Sequence, residues 1–184
     1  MDETLAALAE RIKSEREARN WTLSGLAAAS GVSKAAISRI ERCEMNPTAT
    51  VLARLAAAFD LTLAALLTHD EAKQDPISRA KDQPVWRDPA TGYIRRQIFA
   101  RADHPVELVE VELPPGARVV MPPSSYARIR QATWVQAGAL ALIEGGRKHV
   151  LQAGDCLGFG APSEVTFANE TERACAYVVA LARV

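Results

Sequence analysis

Lys34, Ala35, Ser38 and Arg39 fall on one side of a short helix if residues 34 to 42 are helical. Two permanently charged donors, a hydroxyl and a methyl form a set suited to base-pair edges. Lys and Arg donate to guanine O6 and N7 or to phosphate, and an alanine methyl can meet the thymine methyl. Such a set works only on a rigid rod aimed from behind. Ile37 and Ile40, three residues apart, supply the inward anchors. Ser33 and Thr48 stand where helix N-caps are wanted, and the N–H groups that follow suit a phosphate. Asn46 adds an amide to the loop between them. Upstream, Thr22 caps a helix read over 23–30. Gly31 supplies a positive φ for the turn, and Ala27 is small enough for two helices to cross beside it. Two short helices joined by so tight a turn place the second one in the major groove of duplex DNA.

The rest of the first 67 residues must hold that rod. Leu5, Leu8 and Ile12 recur at helical spacing, as do Leu52, Leu55, Ala56 and Phe59, and then Leu63, Leu66 and Leu67. The spacing predicts five helices, over 3–19, 23–30, 34–42, 49–59 and 62–67. Net charge is zero over all 184 residues, but residues 11 to 54 hold eight Lys/Arg against four Glu. A modest basic surface fits a reader using a few phosphate contacts, though a solvated helical face also carries charge. An Ala-rich bundle with polar helix ends is the plainer alternative. Cys43, Cys156 and Cys175 are odd in number and contain no C-x-x-C pair, which argues against a disulfide framework or a zinc finger. The start of the chain lacks a secretory pattern, and no apolar run approaches the roughly 20 residues of a membrane helix. A cytoplasmic protein is expected.

Residues 8 to 67 resemble the phage-repressor-like (XRE-type) helix-turn-helix family. The residues that carry the likeness are Ile12, Arg16, Thr22, Leu26, Ala27, Gly31, Val32, Ser33, Ile37, Ser38, Ile40 and Glu41. The resemblance implies a lambda-repressor-like bundle, base contacts from Lys34, Ala35, Ser38 and Arg39, a structural ion pair between Arg16 and Glu41, and repression. Two positions depart from the pattern. Leu23 stands where many members have Gln, and Cys43 where they usually have Gly, a residue that adopts the left-handed backbone cheaply.

Residues 69 to 84 are polar, bounded by prolines, and read as a linker with room for a short helix. Beyond Pro84 the period changes. Val106 to Leu113, Trp134-Val135, Ala139 to Ile143, Val150-Leu151, Val165 to Phe167 and Ala176 to Leu181 are short strand patterns separated by Gly/Pro turns, which predicts a β-sandwich or barrel. The domains expected are therefore 1–68, all-α, and 85–184, all-β. The second half resembles the cupin jelly-roll family: Gly116 and Gly138 fit the outer glycines of its first motif, and Gly154 and Asn169 the ends of its second. The family's metal ligands would fall on Pro122, Ser124, Gln131 and Val165, none of them an effective ligand for a first-row metal. No metal and no cofactor is expected.

A barrel without metal can hold an organic molecule. Ser124, Gln131, Thr133 and Val165 are the candidate pocket residues, with Gln131 and Thr133 on one strand face by period two and Arg128 and Arg130 on the other. The alternative is a barrel filled by its own side chains that serves only to dimerise. The combined expectation is a homodimeric, sequence-specific regulator that binds an operator and a small-molecule effector, and no membrane. Two rivals stay open: a metal-dependent cupin enzyme fused to a DNA reader, and an antitoxin-like interaction module.

Overall fold

Apolar residues at helical spacing build the N-terminal half. The computed structural model describes residues 3–67, 76–101 and 103–184. Its helices are α1 (Glu3–Ala18), α2 (Leu23–Ser30), α3 (Lys34–Glu41), α4 (Ala49–Ala58) and α5 (Leu63–Leu67). Leu8, Ile12, Leu26, Ile37, Ile40, Leu52, Leu55, Phe59 and Leu66 close into one core. The three expected caps form: Thr22, Ser33 and Thr48 accept from the N–H groups of Gly25, Ala36 and Val51. Thr62 does the same for α5, accepting from Ala65 N–H at 2.9 Å.

Between α2 and α3 the chain turns at Gly31, whose φ is +67° and whose N–H bonds the carbonyl of Ala27. The end of α3 has the same handedness without a glycine. Cys43 has φ +58°; its N–H reaches Ile40 O, and Glu44 N–H reaches Arg39 O. This is a Schellman ending with a side chain at the position that favours glycine.

The C-terminal half is two antiparallel sheets. Its strands are β1 (Val85–Arg87), β2 (Ile94–Phe99), β3 (Val106–Leu113), β4 (Arg118–Met121), β5 (Ile129–Ala137), β6 (Ala139–Glu144), β7 (Arg147–Gln152), β8 (Cys156–Gly158), β9 (Val165–Ala168) and β10 (Cys175–Arg183). One sheet runs β1-β2-β3-β10-β5-β8, the other β4-β9-β6-β7. Facing one another, they form a cupin-like jelly roll. Alternation drives its core: Val109, Val111 and Leu113 from β3, Tyr177, Val179 and Leu181 from β10, and Leu140 and Leu142 from β6 point inward and are buried. Phe167 stacks on Tyr177 at 5.7 Å, and Tyr126 on Phe159 at 6.0 Å. Gly138, at φ +76°, joins β5 to β6 where an added Cβ would come within 2.8 Å of Ala174 O, so no side chain fits. Asn169 closes the far end, donating to Leu113 O and Arg173 O while its own oxygen accepts from Thr171.

Four strands, β1, β2, β4 and β8, lie outside the strand patterns read from the sequence, although β4 carries the apolar run Val119-Val120-Met121. β2 reads Ile-Arg-Arg-Gln-Ile-Phe, yet Arg95 and Gln97 are its inward, buried residues. The stretch read as a linker lies outside the described residues as far as position 75. From 76 it runs exposed to a 3₁₀ turn at Ala80–Asp82.

α4 belongs to both halves. Leu52 and Leu55 enter the helical core, while Ala53 and Ala56 meet the barrel mouth. Thr50 Oγ1 donates to Val120 O at 2.8 Å. Thr62 Oγ1 donates to the Glu107 carboxylate at 2.8 Å, and Arg128 pairs with Asp60 at 3.1 Å.

Relief of the left-handed side chain gives a simple test. Cys43→Gly should raise the unfolding free energy in urea by about 1 kcal/mol, the order of a left-handed backbone penalty. An equal or lower value would show that the thiol's own contacts outweigh the strain.

Candidate functional site

The outward face of α3 is set by its anchors. Ile37 and Ile40 are wholly buried, which turns Lys34, Ala35 and Arg39 to solvent, and all three are exposed. Ser38 is half-buried, and its hydroxyl accepts from Arg42. Arg42 is itself exposed and forks onto Glu44, with both bonds at 2.8 Å. That bond holds the Glu44 carboxyl below the usual range. Arg42 is not among the reading residues expected from the sequence, although it stands four residues after Ser38, on the same face. Ser33 and Asn46 are exposed and Thr48 is half-buried, so the capped starts of α3 and α4 flank this face.

One ion pair fixes the angle of α3. Arg16 Nε and Nη2 meet the two Glu41 oxygens at 2.7 and 2.9 Å, and Nη1 donates to Trp21 O at 3.0 Å. Side-chain exposures of 12% and 9% make this a largely dry, bidentate clamp between α1 and the last turn of α3. The hydrogen bond to Glu41 raises the Arg16 pKa further above its ordinary value.

A second site lies inside the barrel mouth. A cavity of about 60 Å³ is walled by Ala53, Ala56, Leu61, Thr62 and Leu63 from the helical half. From the barrel come Tyr93, Arg95, Val119, Met121, Ser125, Tyr126, Ile129, Gln131, Phe167, Tyr177, Val179 and Leu181. Most of this lining is apolar, as in binding pockets generally. Three polar atoms on it have no hydrogen-bond partner: Arg95 Nε, Ser125 Oγ and Gln131 Nε2. Burial keeps the Tyr126 and Tyr177 phenols protonated far above the ordinary range. Glu107, next to the mouth, is pushed up by burial against the opposing pull of Thr62, Arg183 and Arg95.

The four candidate pocket residues separate. Gln131 lines the cavity. Thr133, two residues along the same face, is wholly buried further in, its Oγ1 also unpartnered. Ser124 is exposed on the 3₁₀ turn Pro123–Tyr126, and its neighbour Ser125 faces inward instead, because the turn does not keep strand parity. Val165 is buried on β9 without lining the cavity; Phe167, next on that face, does. Arg128 and Arg130 point outward, and Arg128 takes the contact to Asp60. Arg95 escaped the sequence reading altogether, since a charged residue in a polar stretch gives no sign of burial.

The cupin metal position does not fit an ion in this chain. Pro122, exposed Ser124, Gln131 and Val165 offer two weak neutral oxygens at most. Among the described residues no three His, Cys, Asp or Glu come together as a ligand set.

A helical head with an exposed polar reading face, set on a cupin-like barrel, defines a DNA-binding regulator. The helix-turn-helix profile HTH_3 matches residues 12–66. The HTH-type transcriptional regulator SinR of Bacillus licheniformis is 32% identical over 100 residues, covering 53% of this chain and 90% of SinR. SutR of Escherichia coli (strain K12), also an HTH-type transcriptional regulator, is 24% identical over 173 residues, covering 94% of this chain and 93% of SutR. An HTH_3 family transcriptional regulator from Vibrio cholerae superposes with a TM-score of 0.79 at 23% identity, over 97% of this chain and 96% of that one. The chain belongs to the HTH_3 family of helix-turn-helix transcriptional regulators.

Two substitutions check the scaffold of the sites. Glu41→Ala should lower the unfolding free energy by about 2–3 kcal/mol, because it strands the Arg16 guanidinium; an unmoved urea midpoint would mean the clamp contributes nothing. Thr62→Val removes both the α5 cap and the bond to Glu107. A loss of about 1–3 kcal/mol is expected, with faster proteolysis between the halves; unchanged cleavage kinetics would show that this contact does not tie them.

Proposed function

We propose that this protein is a cytoplasmic, homodimeric repressor that reads an operator with α3 and adjusts its grip through a small effector in the barrel. The carrying observation is the exposure of Lys34, Ala35 and Arg39 opposite two wholly buried isoleucines. In this reading Lys34, Ala35, Ser38 and Arg39 meet base edges, and Ser33, Asn46 and Thr48 position the phosphates. Ser38 exchanges its bond to Arg42 for one to DNA. A single eight-residue helix reads few bases. Two copies on a two-fold, with half-sites about 34 Å apart or a multiple of that, supply the specificity.

The effector role rests on the cavity. Its wall is shared by α4, α5 and the barrel, so an occupant touches the reading head directly. It shifts the head's placement only as far as its affinities for the two arrangements differ. The lining carries no activated nucleophile and base, and no reaction is assigned to it.

Selection from a random duplex pool would define the operator, and sedimentation would give the stoichiometry on it. Arg39→Ala should then weaken specific binding by about 1–3 kcal/mol and relax preference at one base position per half-site. Selection of the same sequence at the same affinity would remove Arg39 from the reading face. One chain per operator would remove the dimer.

A further inference from the structure

We infer that the cavity is a site for a small carboxylate with a short hydrocarbon tail, and that Arg95 is its anchor. This rests on the effector reading above and specifies its chemistry. Arg95 is 7% exposed and lies on the inner face of β2, in register with Val111 of β3, which is itself paired with Tyr177 of β10. A guanidinium stays charged under all ordinary conditions, so its burial calls for an anion. The protein does not provide a close one. Nη1 of Arg95 has only the Tyr93 hydroxyl, at 3.5 Å, and Nε has no partner. Glu107, the buried carboxylate near the mouth, feels the Arg95 charge without bonding it; it accepts from Thr62 Oγ1 at 2.8 and 3.1 Å, and Arg183 Nε stands 3.9 Å away. Among the described residues no carboxylate forms an ion pair with Arg95.

The unused donors share one space. Arg95, Gln131 and Ser125 all line the cavity; Arg95 Nε and Ser125 Oγ have no partner, and the Gln131 amide has only the Tyr126 hydroxyl beside it. Donors with nothing to donate to, gathered round one volume, match an acceptor-only group, and a planar carboxylate suits the arginine fork. The remaining wall is hydrocarbon: Leu61, Leu63, Val119, Met121 and Leu181. A bare sulfate or phosphate would leave that wall unused, whereas a short aliphatic tail covers it. About 60 Å³ holds roughly four to six water-sized groups, the size of a two- to four-carbon acid.

The test uses the full chain and a matched set of probes. Acetate, propionate, butyrate and valerate would be compared with their primary amides and with sodium sulfate, at constant ionic strength set by chloride. Thermal midpoint and titration calorimetry give affinity. One or more of the acids should bind saturably, and its amide at least tenfold more weakly. Arg95→Gln should lose at least tenfold in acid affinity, and Arg95→Lys, which keeps charge but not the fork, should fall between. Equal binding of acid and amide, sulfate binding without any carboxylate, or undiminished binding by Arg95→Gln each overturns the assignment. If the arginine variants do not fold, the acid–amide comparison on the unaltered protein decides alone.

Leu63→Phe, which narrows the cavity, separates this failure from failure of the effector reading. Amides that bind the unaltered protein but not Leu63→Phe would leave an effector cavity standing and remove the carboxylate. No binding by any probe overturns the carboxylate. If operator affinity is also unmoved by a small-molecule extract of the host cell, with Leu63→Phe as the control, the effector reading falls with it.

Discussion

The structure depends on α4 having two buried sides. Leu52 and Leu55 face the helical core, and Ala53 and Ala56 face the barrel. Arg54 keeps one edge of α4 in solvent, but its two apolar sides must both be covered, and here the two covers are the helical half and the barrel. Alanine suits the barrel side because it lets the backbone approach the mouth while leaving space below it. Bulkier side chains at 53 and 56 would fill the space that is now the cavity. The same close approach brings Thr50 to Val120 O and Thr62 to Glu107. Packing, polar contact and cavity therefore meet on one helix with two buried sides.

This arrangement bears on the proposed effector. In a barrel with its own closed bottom and a distant reading head, coupling must travel through intermediate elements. Here α4, whose cap Thr48 is placed on the proposed phosphate-binding edge, also forms part of the cavity wall. α3 is tied to α1 by the Arg16–Glu41 clamp and shares the helical core with α4. A movement of the α4–α5 edge thus carries the reading face with it as part of one packed unit. Packed interfaces switch between arrangements rather than deforming smoothly, which converts small displacements into discrete ones.

The interior of the barrel runs against the usual rule for β structure. Gln97 and Thr133, in addition to Arg95 and Gln131, carry unpartnered buried atoms on inward faces. Each such group costs stability unless a partner completes it, and of these four Arg95 and Gln131 line the cavity. Their concentration in one half of the molecule contrasts with the helical half, whose buried clamp and caps are fully paired.

The helical half was legible from its sequence because every level of its chemistry agrees. Thr22, Ser33 and Thr48 cap, Gly31 turns, Ile37 and Ile40 anchor, and each acts within a few residues of where it stands. The face carrying Lys34, Ala35 and Arg39 follows from that local geometry. The long strands β3, β6 and β10 were legible for the same reason, since alternation is local. Tertiary structure alone decided the rest. β2 is a strand only because β3 pairs with it, and Arg95 is buried only because the second sheet and α4 cover it. Ser125 replaces Ser124 because a 3₁₀ turn resets the parity. Local periodicity records what a residue does to its neighbours in sequence; a cavity is made by residues distant along the chain, and its polar members look like surface until the fold closes over them.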